Sequence, residues 1–351
     1  MPTTLQLSAG DRLLVFAPHP DDEAIACGGL LLAARSAGAA RGVIVVTDGD
    51  NNPWPQRWIE KRWRIDAAAR ARWGARRRAE AQAALEMLGV DSVDRSFLGL
   101  PDSGLTSMLV RETEVLVGQF AAQISRFRPT RIALPALADE HPDHSAVHVA
   151  VRLALTRLSM SAELLVYAVH GASKDRWEGI IHLSEEQQRL KRDAILCHQT
   201  QMRLSGRRFL HFARDIEGYM AASEEPRGNL PLQGRVVEHG VEISIDKTGL
   251  RDAVRKLRLL VLADAPPGGE PTRLELPLLD AGSVDAKPSL PHGAVFGEWR
   301  ADRDRLKILV QLASAGAPVF FKLERRRRGL VIYDRCGWQT PQKNLVEFGR
   351  I

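Results

Sequence analysis

The chain has 351 residues, 44% of them hydrophobic and 26% charged, with a net charge of +6. That composition is ordinary for a folded globular protein and excludes a disordered or fibrous chain; the length favours two domains over one. No stretch reaches the roughly 18 apolar residues of a membrane span, and three widely spaced cysteines, Cys27, Cys197 and Cys336, give neither a disulfide framework nor a Cys-x-x-Cys metal pair.

The N-terminus lacks a basic stretch leading into a cleavable apolar core, so its short apolar run, residues 11–17, reads as a first buried strand. A reducing, cytoplasmic setting is the simplest expectation. Residues 23–38 read as a helix ending at Gly38, and 41–47 as a second strand of β-branched residues. A helical stretch, Trp63–Leu88, stops at Gly89; a third strand comes in 91–99 and a helix in Thr106–Phe127, closed by Pro129. Residues 130–135 form a fourth strand, 145–158 a helix and 162–169 a fifth strand. This alternation predicts an α/β fold, a Rossmann-like and mostly parallel sheet with helices on both faces. A further helix begins near Arg189. After about Pro231 short alternating runs at 241–246, 256–264, 272–279, 305–313, 318–326 and 329–334 take over, separated by turn-rich pieces such as 265–271. They predict a small β-rich C-terminal domain, a sandwich or partial barrel, and hence domains at 1–230 and 231–351.

In open parallel sheets, ligands sit at the carboxyl ends of the strands. There the sequence places His19–Glu23, Asp48–Asn52, Asp102 and Asp139–His144, one loop after each of the first four strands. Two of these loops carry His-Pro-Asp. His19 and Asp22 lie three residues apart across a strand-to-helix turn and can face one point, which His144 can reach from the fourth loop. Two imidazoles and a carboxylate leave a metal ion an open position, as in a catalytic site, and imidazole favours zinc over magnesium. Asp21, beside a ligand, is placed to take a proton from water at the metal. A protonated His141 would hydrogen-bond a forming oxyanion, with Asp143 holding that ring charged and oriented. Glu23 is expected in the first helical turn, where the helix dipole favours it.

The stretches "APHPDDEAIACGG" and "DEHPDHSAV", in this order on this strand pattern, resemble the LmbE-like (PIG-L) de-N-acetylases. The likeness spans residues 11–215 and takes in "TDGD" (47–50), "RRAEAQAALEMLGV" (77–90), "LGLPDSG" (98–104) and "KRDAILCHQTQ" (191–201). It implies zinc-dependent removal of acetyl from an N-acetylglucosamine-type group. By the resemblance His19, Asp22 and His144 bind Zn2+, Asp21 is the general base and later acid, and His141 is the oxyanion partner. Arg77 matches a substrate-contacting arginine, and Asp102 an aspartate that binds sugar hydroxyls. The expected partner is an N-acetylated sugar or glycoconjugate. Two alternatives stand beside it: a zinc amidase for a non-sugar acyl amide or thiol conjugate, and a non-catalytic glycan-binding protein.

The charge is local. Between Arg57 and Arg78 lie nine basic residues and two acids, so the rest of the chain nets about −1. Residues 51–78 also hold four of the seven tryptophans, Trp54, Trp58, Trp63 and Trp73. The segment reads either as an amphipathic helix with core tryptophans and a solvated arginine face, or as a wall for an anionic glycan or glycolipid. Nucleic acid is disfavoured, since nothing else in the chain looks like a nucleic-acid module. His148 and His170 are candidates for the rim of the site, and His198 matches a late family position near the pocket. His182, His211, His239 and His292 have no partner spacing. Residues 324–329 read as a solvated turn or edge protection, and Cys27 as packed inside a helix.

Overall fold

The computed structural model describes residues 2–170, 177–221, 232–237, 240–246, 257–263, 272–278, 296–301, 305–311, 318–325 and 337–341. Strands β1 (Thr3–Thr4) and β2 (Arg12–Ala17) lead into helices α1 (Asp22–Ile25) and α2 (Gly28–Ser36). Then come β3 (Ala40–Thr47), α3 (Pro53–Glu60), α4 (Ala67–Met87), β4 (Arg95–Leu100), α5 (Leu105–Arg111) and α6 (Thr113–Phe127). β5 (Arg131–Pro135), α7 (Pro142–Arg157), β6 (Glu163–Tyr167), β7 (Gly179–His182), α8 (Glu185–Leu196), α9 (Gln199–Leu210) and β8 (Ile216–Ala221) complete this part of the chain. The eight strands form one sheet in the order β1-β7-β8-β6-β5-β2-β3-β4. From β6 to β4 every pair is parallel, while β8 runs antiparallel to both β6 and β7. The strand order reverses between β2 and β5, so the loops after these two strands open on one crevice, the usual ligand position of such sheets.

β2 is apolar on both faces because both are covered. Leu14 and Phe16 join a core with α5, α6 and α7, whereas Leu13, Val15 and Ala17 join a core with α1, α2 and α8. The helix expected over 23–38 is two helices. Cys27 is non-helical (φ −128°, ψ 5°), and the N–H groups of Gly29 and Leu30 donate to the carboxylate of Glu217 (2.8 Å each), itself paired with buried Lys191. The buried Glu217 satisfies first-turn donors that a continuous helix would have spent internally. The helix expected over Thr106–Phe127 likewise breaks at Glu112 (φ −132°, ψ 39°). α4 starts at Ala67, where the Asp66 side chain accepts the Ala69 N–H (2.8 Å), with α3 a separate element before it.

Seven more strands form two antiparallel sheets. They are β9 (Leu232–Val237), β10 (Gly240–Asp246), β11 (Leu257–Ala263), β12 (Thr272–Pro277), β13 (Phe296–Ala301), β14 (Arg305–Gln311) and β15 (Val319–Arg325), ordered β13-β14-β10-β9 and β12-β11-β15. The run at 329–334 and most of 324–329 lie outside the described residues. β11 is almost wholly apolar for a positional reason. Leu257, Leu259, Val261 and Ala263 enter the core between the two small sheets, and Leu260 and Leu262 enter the core shared with α5–α7. β15 divides the same way, Phe321 inward and Phe320 toward the α/β unit. Phe321 and Gln339 exchange backbone hydrogen bonds (2.9 Å each), which brings Gly337 against the Leu137–Asp139 turn after β5. A Cβ on Gly337 would lie 3.0 Å from the Leu137 carbonyl oxygen.

Candidate active site

The loop after β2 is held from below. Thr47, at the end of β3, donates its N–H (3.0 Å) and Oγ (2.9 Å) to the Pro18 carbonyl, and the buried Tyr167 hydroxyl donates to the Phe16 carbonyl (2.6 Å). On that base three side chains meet. His144 Nε2 lies 3.3 Å from His19 Nδ1 and 3.3 Å from Asp22 Oδ2, and His19 Nδ1 lies 3.4 Å from Asp22 Oδ2. All three residues are buried. Tetrahedral zinc ligands at about 2.0–2.1 Å from the ion stand roughly 3.3–3.4 Å from one another, so the triangle of donors fits such an ion. Electrostatics agree. Burial disfavours a charged His144, yet Asp139 and Asp22 push it up to about 10. The two acids favour positive charge at His144.

Asp139 orients His144. Its Oδ2 lies 3.2 Å from His144 Nδ1 and accepts the N–H groups of Val169 (3.0 Å) and His170 (3.1 Å); its Oδ1 accepts the His141 N–H (2.9 Å) and faces His170 Nδ1 at 3.3 Å. A carboxylate behind a metal-binding histidine fixes its tautomer and raises its basicity. Sequence alone places Asp139 in this loop and assigns it no role. Its signal is its position, in the same strand-end loop as His144. His170 sits beside it, whereas His148 Nδ1 donates to the Pro135 carbonyl (2.9 Å) inside the core.

Asp21 has a backbone conformation rare for any residue but glycine, φ 138° and ψ −29°. Three contacts hold it there. Glu23 Oε2 accepts its N–H (2.9 Å), the Asp21 carbonyl accepts Ala24 and Ile25 N–H groups, and Arg77 Nη2 donates to its Oδ2 (2.9 Å). Asp21 Oδ1 makes no hydrogen bond among the described residues. Burial pushes Asp21 up to about 6 against the pull of Arg77. Arg77 also donates to the carbonyls of Pro20 (2.6 Å) and Gly49 (2.7 Å), leaving Nε as its unpaired nitrogen. Gly49 has φ +59°, and a Cβ there would fall 1.8 Å from Arg77 Nη1; the tight turn and the guanidinium need the same space. Glu23 lies in the first turn of α1, as expected, and it is also fully buried and paired with His198 Nε2 at 2.8 Å.

His141 caps α7 (φ −81°, ψ 125°), its Nδ1 accepting the Asp143 N–H at 3.3 Å. A neutral ring so bonded carries its proton on Nε2. Burial, then the neighbouring His19, His144 and His170, hold this ring well below its usual range. These surroundings favour a neutral His141 over the protonated ring expected from sequence. The structure gives Asp143 other partners than the one expected. That carboxylate accepts the N–H groups of Ser103 (2.6 Å) and Leu105 (3.1 Å) and stands 3.5 Å from His19 Nε2. Asp102 Oδ1 lies 3.4 Å from the same His19 Nε2, while Oδ2 accepts the Asn51 N–H (2.7 Å). Ring nitrogens of His19, His141 and His144 all lie within 4.8 Å of one another, so His141 borders the same spot as the donor triangle.

Residues 14–155 match the family profile described as PIG-L: GlcNAc-PI de-N-acetylase. They are a PIG-L domain. The match runs from β2 to α7 and includes all eight site residues expected from sequence. Among curated proteins none matches the chain. Solved structures similar to it include conserved protein TT1542 from Thermus thermophilus, at 23% identity over 62% of this chain and 97% of that one, TM-score 0.46. N,N'-diacetylchitobiose deacetylase from Pyrococcus horikoshii is 18% identical over 60% and 84%, TM-score 0.45. GalB, the 4-carboxy-2-hydroxymuconate hydratase from Pseudomonas putida KT2440, is 18% identical over 64% and 100%, TM-score 0.46. A shared fold does not fix a reaction; the chemistry of this PIG-L domain rests on its side chains. No helix among the described residues is long and apolar enough to cross a membrane.

Proposed function

We propose that this protein is a zinc-dependent hydrolase that removes the acetyl group from an N-acetylglucosamine-type sugar or glycoconjugate. The observation that carries the reading is the triangle of His19 Nδ1, Asp22 Oδ2 and His144 Nε2 with 3.3–3.4 Å sides, inside a PIG-L domain. These three residues would hold the ion, which when bound supplies Lewis-acid polarisation of the acetyl carbonyl and water of lowered pKa.

The chain's own residues do the rest. Asp21 Oδ1 accepts a proton from water as the water oxygen adds to the acetyl carbon; a base raised to about 6 is ionised at neutral pH and remains a competent acceptor. The carbonyl oxygen gains negative charge and receives a hydrogen bond from His141 Nε2–H. A neutral donor serves there because a buried cation beside the ion would be disfavoured. Protonated Asp21 then returns its proton to the amine nitrogen as the C–N bond breaks, giving acetate and a free amine. Arg77 and Glu23 hold Asp21 in its strained conformation throughout, and Asp102 stands at the wall where sugar hydroxyls would bind. We assign residues 1–230 to this catalytic unit and 231–351 to an accessory β-rich domain.

The test is acetate release from zinc-loaded protein over free, nucleotide-linked, lipid-linked and polymer-linked N-acetylhexosamines, with a chelator control. Chelator-sensitive release from at least one of them is expected. Release from non-sugar amides alone would give the reading to the amidase alternative.

A further inference from the structure

The local basicity of residues 57–78 divides in two. On α4 the arginines are neutralised: Arg70 pairs with Asp50 (3.3 Å), Arg72 with Glu60 (3.7 Å), Arg76 with Glu80 (3.4 Å), Arg77 with Asp21 and Arg78 with Asp48 (2.7 Å). Between α3 and α4, Lys61, Arg62 and Arg64 are exposed and make no ion pair among the described residues. α3 and the stretch after it carry the most exposed tryptophans among the described residues. Trp54 is 51% exposed, Trp58 70% and Trp63 78%, whereas Trp73 is buried in the α4 interface. Exposed indoles are unusual, and three together are rarely left to water without use.

The patch is built. Trp54 and Trp58 lie one turn apart on α3, whose Pro55 and Gln56 face inward. Arg57 sits between indoles, 5.0 Å from the Trp54 ring and 4.9 Å from the Trp63 ring, and its Nε donates to the Trp63 carbonyl (2.9 Å). One face of each of those rings is thereby covered, which suits insertion by the edge better than stacking on a flat pyranose. Indoles flanked by exposed cations, here with Asp66 as the acid near Arg62 and Arg64, are the composition of a segment that rests at the interface of an anionic bilayer. Its place is informative. Two residues before α3, Asn51 donates its N–H to Asp102 Oδ2 (2.7 Å) and its Nδ2 to the Asp102 carbonyl (3.2 Å), so the patch is tied to the wall of the candidate active site.

We propose that Trp54, Trp58 and Trp63, with Lys61, Arg62 and Arg64, dock the protein on an anionic lipid surface. The docking rests on these residues alone. The test is co-sedimentation of the full chain with phosphatidylglycerol-containing vesicles, with pure phosphatidylcholine vesicles and soluble heparin as comparisons. Binding to the anionic vesicles, weakened by salt, is expected. Lys61→Gln/Arg62→Gln/Arg64→Gln should lower the partition coefficient about 100-fold, at about 1 kcal/mol per cation. Trp54→Ser/Trp58→Ser/Trp63→Ser should lower it at least about 10-fold with the melting temperature unchanged, since these side chains are mostly in solvent. Absence of vesicle binding at low salt, binding to heparin without vesicles, or undiminished binding by the tryptophan variant would each overturn the proposal. None of these readouts depends on hydrolysis, so they fail separately from the deacetylase assignment.

Discussion

His19-Pro20-Asp21 and His141-Pro142-Asp143 are the same tripeptide, each placed after a parallel strand, and the fold uses them in opposite ways. In the first turn the histidine joins the donor triangle, and the aspartate is strained (φ 138°), buried and clamped by Arg77. In the second the histidine caps a sixteen-residue helix and borders the donor triangle, while the aspartate ties down Ser103 and Leu105. The difference lies in the backbone immediately C-terminal to each tripeptide. Asp22 and a four-residue helix force the first chain through a tight turn; α7 takes the second chain smoothly, with Pro142 at its first position. Identical residues acquire different chemistry from the backbone that presents them.

The sharpest way to test that contrast is to make the same change twice. Asp21→Asn should lower kcat about 10³-fold while keeping the metal, as expected for a lost general base. Asp143→Asn should keep kcat within about 10-fold and instead lower stability by about 1–3 kcal/mol, the scale for disturbing buried N–H acceptors. Steady-state kinetics and thermal melts separate the two, and equal kinetic losses would erase the distinction. His141→Ala comes next, with about a 10²-fold loss of kcat and metal content unchanged, the usual scale for an oxyanion donor. Asp139→Asn should weaken zinc affinity about 10–100-fold in a chelator competition. Gly337→Ala, which presses a methyl on the Leu137 carbonyl at 3.0 Å, should have the smallest effect, below about 10-fold in kcat. It tests whether the C-terminal segment props the second turn.

Strands β2 to β6 were legible because each contains a short apolar run, and the first four of them end in charged loops. β7 and β8 were not, since Gly179–His182 and Ile216–Ala221 are short and polar-flanked and owe their pairing to one another. The helix break at Cys27 depends on Glu217, almost two hundred residues away, which no local pattern reveals. Within the site, spacing and chemistry brought out the three side chains that meet, His19, Asp22 and His144. The roles of Asp139, Glu23 and Asp143 are decided by which backbone N–H groups surround them, a property of tertiary structure. The tryptophans divided similarly: the local pattern does not tell the buried Trp73 on α4 from the exposed Trp58 on α3, because neighbouring elements decide which indole is covered.

The most direct test of the donor triangle is metal content by plasma mass spectrometry on purified, zinc-equilibrated protein. One zinc per chain is predicted in the wild type and in Asp21→Asn, with loss of that zinc in His19→Ala, Asp22→Ala and His144→Ala. Retention of one zinc per chain by all three alanine variants would contradict the triangle, because the ion would then be held elsewhere.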